Sequence, residues 1–269
     1  MVQPADRQPA FVLHRRAYRE SSALVELLTR DFGIVGAVMR GVKRSPRLAH
    51  DVEPFGRITV SWRGRGQLVT LLRAEATSRY ALTGDALFAG LYINELLVKT
   101  LSREEPVEAL YHGYDAAIEA LARIGVAPMA DTAGTGDDET RQDGALEPVL
   151  RTFERRLLDE LGYGIAFDVD ISNGRPIEPG RTYRVVDGEG FREVDDAQRS
   201  SHTRLFDGGQ IAAMNAGVYR DPAVLQGAKH VLRRAIALRL GGRPLTTRRL
   251  FSAARRSTSG RADMARSAN

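Results

Sequence analysis

The chain contains no cysteine, which excludes disulfides and every thiolate metal site at once. No stretch approaches the roughly 18 to 20 uninterrupted apolar residues of a membrane span. The opening residues, MVQPADRQPAFVLHRR, hold no apolar segment followed by a small-residue cleavage site, so no signal peptide is read. These absences fit a cytoplasmic protein. Catalytic signatures are missing too: there is no Gly-x-Ser-x-Gly elbow, no HExxH and no Gly-x-Gly-x-x-Gly. His14, His50, His112, His202 and His230 stand singly, without a second ligand one helical turn away.

Three partial motifs fail on chemistry. Gly36-Ala-Val-Met-Arg-Gly41-Val42-Lys43 approximates a phosphate loop, but Val42 separates the second glycine from Lys43, and Arg44 stands directly after the lysine where magnesium needs Ser or Thr. It reads as a turn beside a basic strand end. Asp168-Val-Asp170-Ile-Ser172-Asn173-Gly174 begins like a calcium loop, yet Pro179 stands where the bidentate Glu belongs. Turn chemistry of the Asp and Asn side chains explains it instead. Asp137-Asp138-Glu139 is the only tight acidic cluster, a poor basis for the metal ions of a nuclease.

Charge is abundant and unevenly placed. The net +5 conceals 14 Lys/Arg against 7 Asp/Glu in residues 1–80, 7 against 1 in residues 243–269, and 18 against 26 between them. Two basic ends flank an acidic middle. Such fields concentrate polyanions, of which nucleic acid is the commonest.

Apolar periodicity divides the chain. Ile58, Val60 and Trp62 alternate with Thr59, Ser61 and Arg63, the period of a half-buried strand. Phe11–Arg15, Ala23–Leu28, Ile34–Met39 and Leu68–Ala74 supply four more short runs, separated by Asp31-Phe32-Gly33, Ser45-Pro46 and Arg63-Gly64-Arg65-Gly66. Five strands in 80 residues suit a small barrel, OB-like or SH3-like. After Thr83 the spacing becomes helical: Leu87 to Leu101, Val107 to Leu121, then Val149 to Leu161. Residues 131–144, rich in Asp, Gly and Thr, read as a flexible loop. Tyr183 to Phe191 reads as a hairpin turning at Asp187-Gly188. A last long helix is capped by Asp221, opens on Pro222 and ends at Gly241-Gly242. A short helix through Leu250 and Phe251 and a disordered tail, 257–269, complete the expectation.

Basic residues gather where barrel loops are expected: Arg15, Arg16 and Arg19 after the first strand, Arg40, Lys43, Arg44 and Arg47 after the third, Arg63 and Arg65 around a glycine turn. Loops of this kind line phosphate grooves, with Tyr18, Phe55 and Trp62 as stacking candidates, although Trp62 lies on an alternating apolar face that suits a core. On the last helix Lys229, Arg233 and Arg234 share a face that Arg248 and Arg249 extend. Arg151 and Arg155 stand one turn apart, unfavourable unless Glu147, Glu154 and Asp159 neutralise them or an acidic partner docks.

Several segments resemble the RecO family. Ala10-Phe-Val-Leu-His-Arg15, Tyr18-Arg-Glu-Ser-Ser, Gly33-Ile-Val-Gly-Ala-Val-Met-Arg-Gly41, Glu53-Pro-Phe55 and Trp62-Arg-Gly-Arg-Gly66 are similar to its N-terminal domain. Gly90-Leu-Tyr-Ile-Asn-Glu-Leu-Leu97, Arg155-Arg-Leu-Leu-Asp-Glu-Leu-Gly-Tyr-Gly164 and Leu240-Gly-Gly-Arg-Pro-Leu-Thr-Thr-Arg-Arg-Leu-Phe251 are similar to its helical domain. The resemblance implies an α+β fold: an N-terminal five-stranded OB-fold barrel over residues 1–80, then a mainly α-helical C-terminal domain over 81–256, with a small β-hairpin insertion in 165–200. It implies no enzyme and no cofactor, but a DNA repair and recombination mediator of the RecF pathway, cytoplasmic and nucleoid-associated. Such a mediator binds single- and double-stranded DNA (ssDNA and dsDNA), anneals strands and works with RecR, RecF and RecA on gaps coated by single-stranded-DNA-binding protein (SSB). Some members hold zinc on four cysteines between the positions of Asp168 and Arg192; without cysteine, the hairpin here must be held by packing alone.

The DNA-binding candidates are Arg15, Arg16, Arg40, Lys43, Arg44, Arg47, Arg63, Arg65, Lys229, Arg233 and Arg234. Leu150, Arg151, Phe153 and Arg155 are the candidates for receiving the acidic SSB tail, a basic pair beside an apolar stripe. The competing expectation is an OB-fold module that binds ribosomal or other structured RNA.

Overall fold

A computed structural model describes residues 3–126, 138–195, 204–247 and 250. The chain forms two compact units, Met1–Gly136 with Pro244–Asn269, and Asp137–Arg243. Packing therefore groups the chain differently from the expected 80/81 boundary, because two helices that follow the barrel belong with it.

In the first unit, β1 (Ala5–Tyr18), β2 (Ser22–Thr29), β3 (Gly33–Met39), β4 (Gly56–Arg63) and β5 (Leu68–Arg79) close a barrel in the order β1-β2-β3-β5-β4. Closure depends on the long first strand, which pairs with β2 through Tyr18↔Ser22 and with β4 through Ala10↔Ile58, bending at a bulge between Val12 and His14. β3 and β5 run parallel. The alternation read from sequence is the barrel's inside: Val25, Leu27, Val35, Ala37, Ile58, Val60, Trp62, Val69 and Leu71 form its core. The five strands fall where periodicity put them.

A 3-10 turn, Val42–Arg44, and the short helix α1 (Pro46–Asp51) link β3 to β4. Gly41 takes φ 76, a left-handed turn, and Ser45 caps α1 by accepting from Leu48 N at 3.3 Å. Helices α2 (Gly84–Thr100) and α3 (Glu108–Val126) cover one wall. Phe11 points away from the barrel interior and meets Tyr111 and Tyr114 at 4.9 and 5.0 Å between ring centroids. Asn94 donates to the Leu13 carbonyl at 2.7 Å. At Gly90 a Cβ would lie 2.8 Å from the Phe55 ring, so glycine is what lets α2 approach. Segment 244–247 returns to this unit through Glu95, which accepts from Thr246 N at 2.8 Å, Thr247 N at 2.9 Å and the Thr247 hydroxyl at 2.6 Å. Burial pushes the Glu95 carboxyl up, but the donors from Lys99, Thr247 and Thr246 outweigh it and hold it at about 2.

The second unit packs α4 (Asp138–Glu160), α5 (Gly208–Asn215) and α6 (Pro222–Arg239) with a sheet ordered β6-β8-β7-β9: β6 Ala166–Asp170, β7 Thr182–Val186, β8 Gly190–Glu193 and β9 Leu205–Asp207. The predicted hairpin is β7–β8, with Gly188 at φ 76 in its turn, but two further strands flank it. Each is only three to five residues long, too short for a period-two signal to stand out. Phe191 centres the packing, 5.5 Å from Phe167 and 5.4 Å from Phe206.

Packing alone does not hold this region. Asp170, 2% exposed, accepts from Ser172 N at 2.8 Å and the Ser172 hydroxyl at 2.7 Å, and from Asn173 at 3.1 Å and Glu193 N at 3.3 Å. Burial raises its carboxyl, yet these donors carry it below the ordinary carboxylate value. The turn chemistry expected of residues 168–174 is present and also staples β6 to β8. Asp221 caps α6 as expected, accepting from Ala223 N at 2.7 Å. α4 begins at Asp138, inside the stretch read as a loop. Residues 131–137 of that loop, Phe251, Arg248, Arg249 and the 257–269 tail lie outside the described residues.

Candidate nucleic-acid interface

Strand register decides which basic residues meet. Tyr18↔Ser22 and Ala23↔Met39 set the β1–β2 turn beside the end of β3. Lys43 seals that junction: its N–H donates to Ser21 O at 3.2 Å and its ammonium to Arg19 O at 3.4 Å. Arg16, Arg19, Arg40, Lys43, Arg44 and Arg47 are all exposed here. The Met39↔Leu71 pairing carries Arg73, which sequence reasoning did not single out, to the same end. Arg15 belongs to this end differently: half-buried, it donates to Ala49 O at 2.6 Å and anchors α1. Arg47 lies 3.9 Å from Asp51. Among the described residues Arg16, Arg40 and Arg44 form no ion pair.

Arg63 and Arg65 do not join this cluster. Leu68 pairs with Gly36, so the β4–β5 turn lies beside the first half of β3. Gly36 and Arg40 are separated by about 13 Å along an extended strand. The two basic groups bracket the outer face of β3 rather than converge on one rim. That face alternates with the core and carries Leu24 and Glu26 on β2, Gly36 and Val38 on β3, and Leu68, Thr70 and Leu72 on β5, with Leu68 46% and Leu72 52% exposed. It holds no aromatic residue. Trp62 is 1% and Phe55 5% exposed; Trp62 donates to Gln3 O at 2.8 Å and packs edge-on against Phe32. Neither is a stacking platform. Tyr18 remains at the basic end, with the Arg19 guanidinium 5.1 Å above its ring.

Both domain families match in order: Recombination protein O N terminal over residues 4–80, and Recombination protein O C terminal over residues 139–249. The chain belongs to the RecO family. It is 42% identical over 248 residues to the DNA repair protein RecO of Stutzerimonas stutzeri, covering 92% of this chain and 94% of that one. It is 41% identical over 249 residues to that of Pseudomonas paraeruginosa (92% and 95%), and 38% identical over 252 residues to that of Nitrosococcus oceani (93% and 94%). Membership supports a role in DNA repair and recombination. No helix of the described residues is long and apolar enough to cross a membrane.

In the second unit, α6 borders an open groove lined by Arg204, Lys229, His230, Arg233, Arg234 and Ala237. The sequence-predicted trio is brought together there, with Arg204 from beside β9 added. Its cations are partly matched: Lys229 pairs with Glu147, and Arg234 with Asp187. Burial, then Arg204 and Arg234, push the His230 imidazole below its ordinary value.

The acidic-tail candidates fare otherwise. Arg151 is 0% exposed and donates to Glu154, also 0% exposed, at 2.8 Å, with Glu147 at 3.5 Å. Burial raises the Glu147 carboxyl, but Arg151 and Lys229 bring it below its ordinary value. Phe153 is 2% exposed, and Leu150 is half-buried. Arg155 donates to Met214 O at 3.0 Å and to Asn215 Oδ1 at 2.9 Å, with its guanidinium over Phe167. The expectation that Arg151 meets an acidic tail at the surface is corrected: internal carboxylates neutralise it, because a buried guanidinium without one is too costly.

Proposed function

We propose that the protein is a non-enzymatic mediator that binds single- and double-stranded DNA through phosphates, anneals complementary strands and, with RecR, helps load RecA onto SSB-coated gaps, in functional association with RecF at the nucleoid. The observation that carries this is the basic end of the barrel, where Arg16, Arg40 and Arg44 are exposed with no carboxylate partner among the described residues. Cations left in this state release condensed counterions when phosphates replace water around them. The adjoining aliphatic face favours contact with the sugar–phosphate chain over base stacking, so sequence and strandedness matter little. Two strands neutralised on one surface repel each other less, and complementary bases meet.

The α6 groove, whose basic residues are accessible where Arg151 is not, suits the acidic tail of SSB. An Arg234→Ala protein is expected to bind a tail peptide several-fold more weakly. The deciding experiment is annealing of complementary oligonucleotides coated with SSB, with and without RecR, across a salt series. Annealing should accelerate, and DNA affinity should fall steeply between about 50 and 200 mM salt. A flat salt response contradicts the mechanism.

A further inference from the structure

We propose that Arg103 is a phosphate-contacting residue on the outer face of the barrel, and that Glu26 restrains it. Their ion pair is exchanged for a phosphate when nucleic acid binds. The inference rests on the barrel being the nucleic-acid surface.

Arg103 follows α2, and main-chain contacts fix its place. It forms a parallel bridge with Ile34, and Glu104 N donates to Ile34 O at 3.4 Å. Gly33, at φ 64, packs against the Glu105 backbone. The chain therefore runs alongside the edge of β3 ahead of the point where β5 joins it, and the Arg103 side chain turns onto the outer face. The Arg103 guanidinium lies over Gly36, where a Cβ would come within 2.7 Å of Nη1. Its Nη2 is 2.8 Å from Glu26 Oε1, the two side chains being 43% and 26% exposed. Gly36 is also the residue that pairs with Leu68. Arg103 thus places its guanidinium over the middle of β3, on the outer face that the Arg40–Lys43–Arg44 end and the Arg63–Arg65 turn bracket.

The pair is built to be exchanged. An ion pair this exposed contributes little, whereas a guanidinium grips a phosphate through two short, charge-assisted hydrogen bonds. Glu26 Oε2 is buried and has no hydrogen-bond partner, so the carboxylate is only half satisfied even before exchange. Beside a polyanion it becomes a repulsive charge, and Glu26 lowers affinity below what Arg103 alone would give.

The test is binding of an oligothymidylate to the full chain by fluorescence anisotropy over a salt series, with thermal melting of every variant. Arg103→Ala is expected to bind about 3- to 10-fold more weakly, with the log–log salt slope reduced by about 0.7. Arg103→Lys, which keeps the charge but loses the fork, should fall between it and wild type. Glu26→Gln retains an acceptor for Arg103 while removing the charge, and should bind about 3- to 10-fold more tightly. The proposal is overturned if Arg103→Ala changes melting but neither affinity nor slope, or if Glu26→Gln binds no better than wild type. An Arg40→Ala/Lys43→Ala/Arg44→Ala protein separates the two levels. If it binds weakly while Arg103→Ala does not, the barrel surface stands and Arg103 is structural. If it also binds as wild type, the surface itself is refuted.

Discussion

In the barrel unit Arg16, Arg40, Arg44, Arg63 and Arg65 stand in solvent with no ion-pair partner among the described residues. In the second unit Arg151, Lys229 and Arg234 each face a carboxylate, and Arg155 is held by carbonyl groups. The residue types are the same; their surroundings are not. A solvated guanidinium keeps its hydration and its field, and costs little to maintain. A buried one, as Arg151 is, must find an internal acceptor, and its field is then spent inside the fold; Lys229 and Arg234, 37% and 54% exposed, are only partly offset by their carboxylates. Counting charges therefore overstates the basic character available to a partner on the second unit.

The largest effect expected from this contrast concerns Arg151. Arg151→Ala leaves Glu154 buried without its guanidinium and should cost about 3–5 kcal/mol of stability, read by denaturant or thermal unfolding. A loss below about 1 kcal/mol would return Arg151 to the surface class and dissolve the distinction.

Next comes the barrel. Arg40→Ala/Lys43→Ala/Arg44→Ala should weaken binding of single-stranded DNA about 10- to 100-fold near 0.15 M salt and lower the salt slope by about 2, with melting little changed. Lys229→Ala/Arg234→Ala should change the same DNA affinity far less. If the order of the two variants is reversed, the comparison is inverted.

Asp170→Ala should cost about 1–3 kcal/mol, since it leaves donors in a buried turn unsatisfied. The Asp170 carboxyl is depressed in the folded state, so its contribution is present above the ordinary value of 3.8 and is lost as pH falls through the folded value. Acid should therefore loosen the β6–β8 turn, seen as loss of amide protection at Ser172 and Glu193.

The smallest effect concerns Glu95. Its contribution is complete above 4.5 and disappears as pH falls toward about 2. Amide exchange at Thr246 and Thr247 should quicken between pH 4.5 and 2.5, and Glu95→Gln should remove most of that dependence. Exchange independent of pH after correction for intrinsic rates would show that the carboxylate does not hold this segment.

Much of the fold was legible because local rules acted alone. The Ile58-Val60-Trp62 alternation, the Asp221-Pro222 start of α6 and the Asp187-Gly188 turn each follow from backbone chemistry within a few residues. The same alternation already favoured Trp62 as core. β6 and β9 escaped notice because each is too short to show a period. Of the site, the Arg40–Arg47 cluster was visible as composition near turn residues. The separation of Arg63 and Arg65 from it was not, because it depends on Leu68 pairing with Gly36 across β3 and β5.

Arg103 was invisible for the same reason: nothing near it in the chain points to Glu26, 77 positions away. Family, strand and helix content, and the uneven charge are written in residue order, since periodicity, turn preference and net charge depend on neighbours along the chain. Which arginines face solvent and which are consumed by carboxylates was settled only by tertiary packing. Burial and ion pairing depend on groups that the fold brings together from distant positions, and the cost of a bare buried charge makes that outcome binding.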